Sequence, residues 1–300
     1  MGLRLFVLIV GFAATVMAGP CFADERMVTM QVGGQARTYL LELPRASEPR
    51  PTMIFLHGSG ADALKTARTS GLDRLGPSMG FVTVFPNAID QVWNLFPNGE
   101  AESSVADRRG GEEALGDDFA FIKAIVADLV RRGVSDPRRI FLGGISYGGL
   151  MTLRMACTAP EMFVAIGIIY SSMPDAASAT CHPSKPLPFM VINGTADPVL
   201  PYAGGATVAG FTVWATDRTV AFFRNLNGCN DAGQRSKLPH RAGPYGTSVV
   251  MQRWSPCSGG PVTLYQIVGG GHGVFGSLKG DIDAYGTLAT FFRDQNALVQ

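Results

Sequence analysis

The stretch RIFLGGISYGGL, residues 139–150, decides the fold prediction for this chain. Residues 139–142 are a β-rich run, and residues 150–157 continue into a helical pattern. Between them, Gly144-Ile145-Ser146-Tyr147-Gly148 fits the pattern G-x-S-x-G, which is weak alone but gains meaning between a strand and a helix. That setting is typical of a nucleophile elbow, in which two small residues let the turn tighten until the serine hydroxyl projects beyond the sheet. Ser146 is therefore the candidate nucleophile.

Two further loops follow buried runs in the same manner and supply an acid and a base. Asp197 comes shortly after the apolar run 189–192, and His272 comes after the run 262–268 and three glycines. Sheets of α/β proteins build their sites beyond the carboxyl ends of their strands, so we expect these side chains to meet. The chain order Ser146, Asp197, His272 is also the order of a hydrolase triad on this kind of sheet.

The sequence HGSG, residues 57–60, follows the apolar run 52–56 and precedes the candidate nucleophile. This position favours an oxyanion-binding loop and disfavours His57 as the catalytic base. We therefore predict that the backbone N–H groups of Tyr147 and Ser59 bind the oxyanion of the reaction.

Short apolar runs alternate with helical patterns along the rest of the chain. The predicted strands are 28–32, 38–43, 52–56, 81–85, 139–142, 164–170, 189–192 and 262–268, and the predicted helices are 117–131, 147–157, 216–226 and 281–296. The first two strands read as an antiparallel hairpin, and the alternation that follows predicts an α/β fold with a mostly parallel sheet and helices on both faces. Asp117 and Asp118 are expected to cap the first predicted helix. No linker divides residues 24–300, which predicts a single domain, and the long loop 87–116 is expected to be functional or mobile.

Residues 1–23 stand apart from that domain. Arg4 is followed by the mostly apolar run 5–17, a Gly-Pro break and the small residue Ala23, which is the layout of a secretory signal peptide. The run is shorter than the roughly 20 apolar residues that span a bilayer. We therefore expect a secreted or periplasmic chain with no stable membrane insertion after cleavage.

The composition excludes several classes of protein. Apolar residues make up 46% of the 300, which is enough for a large core, and 25 basic residues balance 24 acidic ones without a basic block, which disfavours nucleic acid as a partner. Residues 271–276 fit the dinucleotide pattern G-x-G-x-x-G, but too little chain follows for the second strand and acid that such a site needs. We expect no cofactor and no metal, and the oligomeric state stays open.

Four cysteines lie beyond residue 23, at Cys157, Cys181, Cys229 and Cys257. An even set in an oxidising compartment predicts two disulfides, for which three connectivities are possible. Pairing of nearest neighbours would close loops of about 25 residues, each worth roughly 3 kcal/mol in the chain-entropy model. The spacings match no zinc pattern.

A set of short motifs recurs in one known family. They are His57-Gly58, Trp93-Asn94, Asp117-Asp118, the run 136–139 leading into 144–149, the run 194–197 with Pro201-Tyr202, the run 227–229, and the run 269–272. With them the chain resembles, over nearly all of residues 24–300, the secreted α/β-hydrolase esterases called poly(3-hydroxybutyrate) depolymerase-like, which include feruloyl and acetylxylan esterases. The resemblance implies the α/β-hydrolase fold, a Ser146–Asp197–His272 triad and nearest-neighbour disulfides. One departure is Gly273-Val274-Phe275, where such relatives have Thr-Trp-Pro, so we expect a different substrate pocket.

The predicted function is that of a secreted serine esterase acting on a small or oligomeric ester through an acyl-enzyme on Ser146. Four aromatic side chains are candidates to line its pocket, with core packing as the alternative reading, at Trp93, Tyr202, Trp214 and Phe275. Relatives that erode solid polyester carry a further binding domain after the catalytic histidine, so soluble esters are expected here. The alternatives are a serine peptidase on the same fold and a noncatalytic polymer- or carbohydrate-binding protein.

Overall fold

The structure is a computed structural model that describes residues 24–44, 49–95, 116–230, 232–240, 246–273 and 280–299. The predicted signal peptide, most of the loop 87–116 and Phe275 lie outside these ranges. Within them, no helix is both long and apolar enough to cross a bilayer.

The strands of the structure are β1 (Asp24–Val32), β2 (Gln35–Leu43), β3 (Arg50–Leu56), β4 (Val82–Pro86), β5 (Ser135–Ile145), β6 (Ala165–Ile169), β7 (Phe189–Gly194), β8 (Gly205–Ala206), β9 (Thr212–Val213), β10 (Gln234–Lys237), β11 (Ser248–Trp254) and β12 (Val262–Val268). The helices are α1 (Ala63–Ser70), α2 (Leu72–Ser78), α3 (Asp118–Arg131), α4 (Tyr147–Thr158), α5 (Asp175–Ser178), α6 (Thr216–Leu226) and α7 (Ala284–Asn296).

Ten strands form one sheet in the order β1-β2-β4-β3-β5-β6-β7-β12-β11-β10. The six strands from β4 to β12 in that order run parallel, and antiparallel strands flank them at both edges. The prediction of a mostly parallel α/β sheet is therefore confirmed. Because parallel strands point the same way, the loops after β3, β5, β7 and β12 open at one edge, where the predicted site residues lie.

The parallel strands are mostly apolar in their central stretches because helices cover both faces of the sheet. Every residue of β6 and of β7 is buried. Side chains of α3, α4 and α6 pack into the core on one face, and side chains of α1, α2 and α7 pack into the core on the other. Close packing needs glycine in the sheet, since a Cβ at Gly167 would lie 2.2 Å from the Cδ1 atom of Leu288 in α7.

The start of α3 corrects one detail of the predicted capping pair. Asp117 is the N-cap, and its carboxylate accepts the N–H of Ala120 at 2.9 Å. Asp118 instead turns inward, where its buried carboxylate pairs with the guanidinium of Arg37 and accepts the N–H of Asn94 at 2.6 Å. Asp118 therefore joins the helix to strand β2 and is not part of a cap.

Two disulfides fasten the chain beside the sheet. Cys157 at the end of α4 is bonded to Cys181, and Cys229 after α6 is bonded to Cys257 ahead of β12. Of the three possible connectivities, the structure has the nearest-neighbour pairing that the family resemblance implies. The first bond holds the helix that follows Ser146, so it lies on the scaffold of the candidate site.

Candidate active site

Ser146 occupies a strained turn between β5 and α4. Its backbone has φ 53° and ψ −120°, a conformation that L-residues adopt rarely and that proteins retain at functional positions. The glycines on either side make the turn possible, because a Cβ at Gly144 would lie 2.3 Å from the carbonyl oxygen of Gly148. A Cβ at Gly148 would in turn lie 2.3 Å from the carbonyl oxygen of Leu56. The G-x-S-x-G pattern is thus explained by two close approaches of backbone.

The loops that follow β7 and β12 are hydrogen-bonded to each other. Thr195 accepts the N–H of Gly269 on its Oγ1 atom at 2.8 Å. The residue after Thr195 donates its N–H to the carbonyl oxygen of Gly270 at 2.8 Å. These bonds bring Asp197 and His272, which are 75 positions apart in the chain, to within hydrogen-bond distance.

The side chains of Ser146, Asp197 and His272 form one hydrogen-bonded series. His272 Nδ1 lies 2.7 Å from Asp197 Oδ2, and His272 Nε2 lies 2.9 Å from Ser146 Oγ. Asp197 is buried, and its other oxygen accepts the N–H groups of Val199 at 2.8 Å and Leu200 at 2.9 Å. With Nδ1 donating to this fixed carboxylate, Nε2 is left to accept the proton of the serine hydroxyl.

The loop 57–60 lies against this turn and is held by a neutral histidine. His57 Nε2 accepts the N–H of Ala88 at 3.1 Å, and its Nδ1 donates to the carbonyl oxygen of Gly58 at 2.8 Å. Burial lowers the pKa of His57, which agrees with a ring that accepts on one nitrogen and donates on the other. Gly58 lies so close to the nucleophile that a Cβ there would be 3.4 Å from the Cβ of Ser146.

A cavity of about 220 Å³ opens beside the serine. It is lined by Ser59, Val92, Ser146, Tyr147, Val199, Leu200, Thr207, Val208, Ala209 and Phe211. The nucleophile and both residues predicted for the oxyanion hole therefore line the same cavity. Most of the other lining residues come from the segment that follows Asp197, which includes the β8–β9 hairpin.

Residues 43–221, more than half of the chain, match the family model of the phospholipases and carboxylesterases. The chain belongs to this family. The sequence-based identification of an α/β-hydrolase esterase is thereby confirmed at the level of family and fold.

Individual relatives of this carboxylesterase-family chain bear esterase names. A protein of Nocardia uniformis named as the esterase NocK is 29% identical over 256 residues, which are 80% of this chain and 71% of that protein. A protein of Aspergillus flavus named as a feruloyl esterase C is 27% identical over 176 residues, and the match covers 58% of this chain and 59% of the relative. The chain thus spans less than two thirds of that feruloyl esterase.

A solved structure with the same fold is the acetyl xylan esterase of Aspergillus awamori. The two superpose with a TM-score of 0.57 at 15% identity, over 83% of this chain and 94% of the other. At that identity the likeness shows the fold alone.

Of the aromatic residues predicted for the substrate pocket, the three that the structure describes do not line the 220 Å³ cavity. Trp93 is 0% exposed, its indole Nε1 donates to the carbonyl oxygen of His57 at 2.8 Å, and the two rings are 4.7 Å apart. The expectation that Trp93 lines the pocket is corrected, because it supports the loop 57–60 from behind. Tyr202 donates to Asp217 at 2.8 Å and Trp214 packs under Arg218, so neither side chain lines the 220 Å³ cavity. Phe275 lies outside the described residues.

Apart from Ser59, Ser146 and Tyr147, sequence reasoning missed the residues that line the cavity. Most of these come from the segment 199–211, and none of them belongs to the Pro201-Tyr202 motif within it. Its position between the acid and helix α6 is the one available signal. Among the residues that the structure describes, no three His, Cys, Asp or Glu side chains are grouped to hold a metal ion.

Proposed function

We propose that this protein is a secreted serine esterase that hydrolyses carboxylic esters through an acyl-enzyme on Ser146. One observation carries the proposal: the imidazole of His272 is hydrogen-bonded to Asp197 on one side and to Ser146 on the other. That arrangement lets one side chain both remove and return a proton at the reacting centre. Relatives that bear the name of feruloyl esterases support an ester as the substrate.

The proposed acylation begins with the hydroxyl of Ser146. Its proton passes to Nε2 of His272 while Oγ bonds to the ester carbonyl carbon, and the π electron pair of the carbonyl moves onto its oxygen. Asp197 keeps the hydrogen of the neutral ring on Nδ1 and stabilises the imidazolium. When the bond to the alcohol breaks, the imidazolium gives its proton to the leaving oxygen. Water then repeats these steps on the acyl-enzyme and releases the acid.

The oxyanion of the tetrahedral intermediate needs hydrogen-bond donors that are already in place. We assign this role to the N–H groups of Tyr147 and Ser59, whose residues share the cavity wall with Ser146. Tyr147 begins helix α4, so the positive end of the helix dipole adds to the stabilisation. The loop of Ser59 is kept in position by the neutral His57, which makes a hydrogen bond through each ring nitrogen, and by the buried Trp93.

The proposed location is outside the cytoplasm. Residues 1–23 have the layout of a signal peptide. The two disulfides suit an oxidising compartment, where such bonds persist.

Replacement of the nucleophile tests the proposed function. Ser146→Ala is expected to lower kcat on p-nitrophenyl esters by roughly 10⁶-fold, because triads lose about this much without their nucleophile. The fold should persist, since Ser146 lies in a turn and contributes no apolar side chain to the core. The measurements are initial rates and covalent labelling by a fluorophosphonate, located by peptide mass spectrometry.

Ser236→Ala is the matched control. Ser236 is exposed on β10, the edge strand of the sheet, which lies two strands away from β12. Its rates should equal those of the parent. Labelling at a residue other than Ser146, or turnover of Ser146→Ala within tenfold of the parent, would refute the assignment. Absence of both labelling and turnover in the parent would favour a binding protein, and cleavage of amides without cleavage of esters would favour a peptidase.

A further inference from the structure

The cavity beside Ser146 lies on one side of the triad. Its lining includes the nucleophile and the two proposed oxyanion residues, and it does not include His272. In the proposed mechanism, on which this inference rests, the leaving alcohol must receive its proton from His272 Nε2. The alcohol therefore leaves on the histidine side, and the space on the oxyanion side remains for the acyl chain.

The described lining of this cavity is mostly apolar. Its apolar members are Val92, Val199, Leu200, Val208, Ala209 and Phe211. The hydroxyl of Thr207 donates to the carbonyl oxygen of Phe211 at 2.9 Å, so that hydrogen is already used. The other polar side chains of the lining are those of the exposed Ser59, of Tyr147 and of the nucleophile Ser146. The lining thus offers mostly aliphatic groups, together with the rings of Phe211 and Tyr147.

We propose that this cavity is the acyl pocket and that it selects unsubstituted alkanoyl chains over acyl groups that carry a hydroxyl or phenol. An alkyl chain gains about 0.8 kcal/mol for each methylene that leaves water, which corresponds to roughly fourfold in kcat/KM. A hydroxyl on the acyl chain loses its bonds to water and meets few polar side-chain groups on a mostly apolar wall. Hydroxybutyryl and feruloyl groups are therefore the poorer acyl donors.

The wall that sets this selection is the hairpin β8–β9. Ala209 lies at its turn and lines the cavity, whereas Ala206, on strand β8 of the same hairpin, is exposed and does not line it. A larger side chain at Ala209 fills the space that a long acyl chain would use. The two alanines therefore form a matched pair for substitution.

The first arm of the test uses esters that share one leaving group, so that only the acyl side varies. For p-nitrophenyl acetate, butyrate and hexanoate we expect kcat/KM to rise about fourfold per methylene until the cavity is filled. We expect p-nitrophenyl butyrate to exceed p-nitrophenyl 3-hydroxybutyrate by roughly 10- to 100-fold, the range in which apolar pockets reject an added hydroxyl. Methyl cinnamate should likewise exceed methyl ferulate.

The second arm locates the pocket. Ala209→Leu should lower the hexanoate-to-acetate ratio of kcat/KM at least tenfold, and Ala206→Leu should leave that ratio within twofold of the parent. If Ala209→Leu does not fold, Val208→Phe takes its place, since Val208 lines the mouth and is 67% exposed. It should change the ratio in the same direction.

Three results would overturn the inference while leaving the proposed esterase intact: equal rates along the alkanoyl series, preference for the hydroxybutyryl or feruloyl ester, or an unchanged ratio in the Ala209 variant and its substitute. A parent enzyme that hydrolyses none of these esters and takes no fluorophosphonate label at Ser146 would overturn the proposed function itself.

Discussion

Two backbone carbonyl groups occupy the space that a side chain at Gly148 would need. A Cβ there would lie 2.3 Å from the carbonyl oxygen of Leu56 and 2.5 Å from that of His57. Gly148→Ala must therefore push helix α4 away from the loop 57–60. We expect a loss of about 1–3 kcal/mol in unfolding free energy, as for other overpacked sites, and at least a tenfold loss of kcat/KM. Urea denaturation and ester kinetics measure the two effects.

Gly271→Ala is the control for that substitution. Its added Cβ would meet nothing closer than the carbonyl oxygen of Ala196 at 3.9 Å. Its stability should therefore stay within roughly 0.5 kcal/mol of the parent, as for most substitutions that break no contact. Equal unfolding free energies for Gly148→Ala and Gly271→Ala would contradict the explanation of the G-x-S-x-G pattern by close approaches of backbone.

The catalytic residues of the candidate site could be predicted from the sequence, whereas most of the residues that line its cavity could not. Ser146, Asp197 and His272 could be placed because each follows an apolar run, and parallel strands deliver their ends to one edge. Trp93 could not be placed, because an aromatic residue beside a motif suits a pocket or a core equally well. The lining residues between positions 199 and 211 follow no apolar period and belong to no motif. They can therefore be identified only from the folded structure of this segment.

At the scale of elements, one buried ion pair joins β2 to α3. The side chains of Arg37 and Asp118 are each 2% exposed, and the guanidinium lies 4.1 Å from the ring centre of Phe121. Asp118→Ala would leave the guanidinium buried without its partner. We expect a loss of about 3–5 kcal/mol, measured by urea denaturation, because an uncompensated buried charge is costly.

An exposed pair tests whether burial is the cause. Arg293 and Asp294 are paired on α7 with side chains 52% and 57% exposed. Asp294→Ala should therefore cost less than about 1 kcal/mol. The double variant Arg37→Met with Asp118→Ala should recover part of the loss of the single variant. A loss for Asp118→Ala as small as that for Asp294→Ala would show that Arg37 finds other partners or water.

Elements with a clear apolar period were predictable, and those without one were not. Helix α6 has the predicted bounds, and the central strands lie within a few residues of the predicted runs. Strand β10 was missed because its four residues are all exposed and polar, and it is a strand only through pairing with β11. Helices α1 and α2 were missed because short, mostly polar helices take their stability from the sheet against which they pack.

For the whole molecule, the carboxyl of Glu42 makes folding depend on pH. Burial, together with the neighbouring Glu25, raises the pKa of Glu42 from 4.5 to about 8 in the folded protein. The folded state therefore binds this proton more tightly than the unfolded chain does. The corresponding stability is fully present below pH 4.5, is lost as the pH rises through the window to 8, and changes no further above it.

Glu42→Gln removes this dependence, because the amide is neutral at every pH in the window. At pH 5 the variant and the parent should have similar unfolding free energies. At pH 8 the variant should be more stable by a few kcal/mol, since each unit of pKa difference is worth about 1.4 kcal/mol. Urea midpoints at several pH values test this. Parallel curves for the two proteins would show that Glu42 is ionised in the folded state throughout.

The carboxylate of Asp197 has a consequence for how this protein can diversify. One oxygen orients the histidine, and the other holds the backbone of Val199 and Leu200, which also line the cavity. Recombination that replaces a segment beginning before Val199 would disturb the position of the Asp197 carboxylate. The hydrolysis rates of all substrates would then fall together. Grafts confined to the chain between Leu200 and α6 would leave those two N–H bonds in place. We therefore expect new substrate ranges to arise mainly from replacement of this shorter segment. Chimeras in which the replaced segment begins before Val199 should be less active on every substrate.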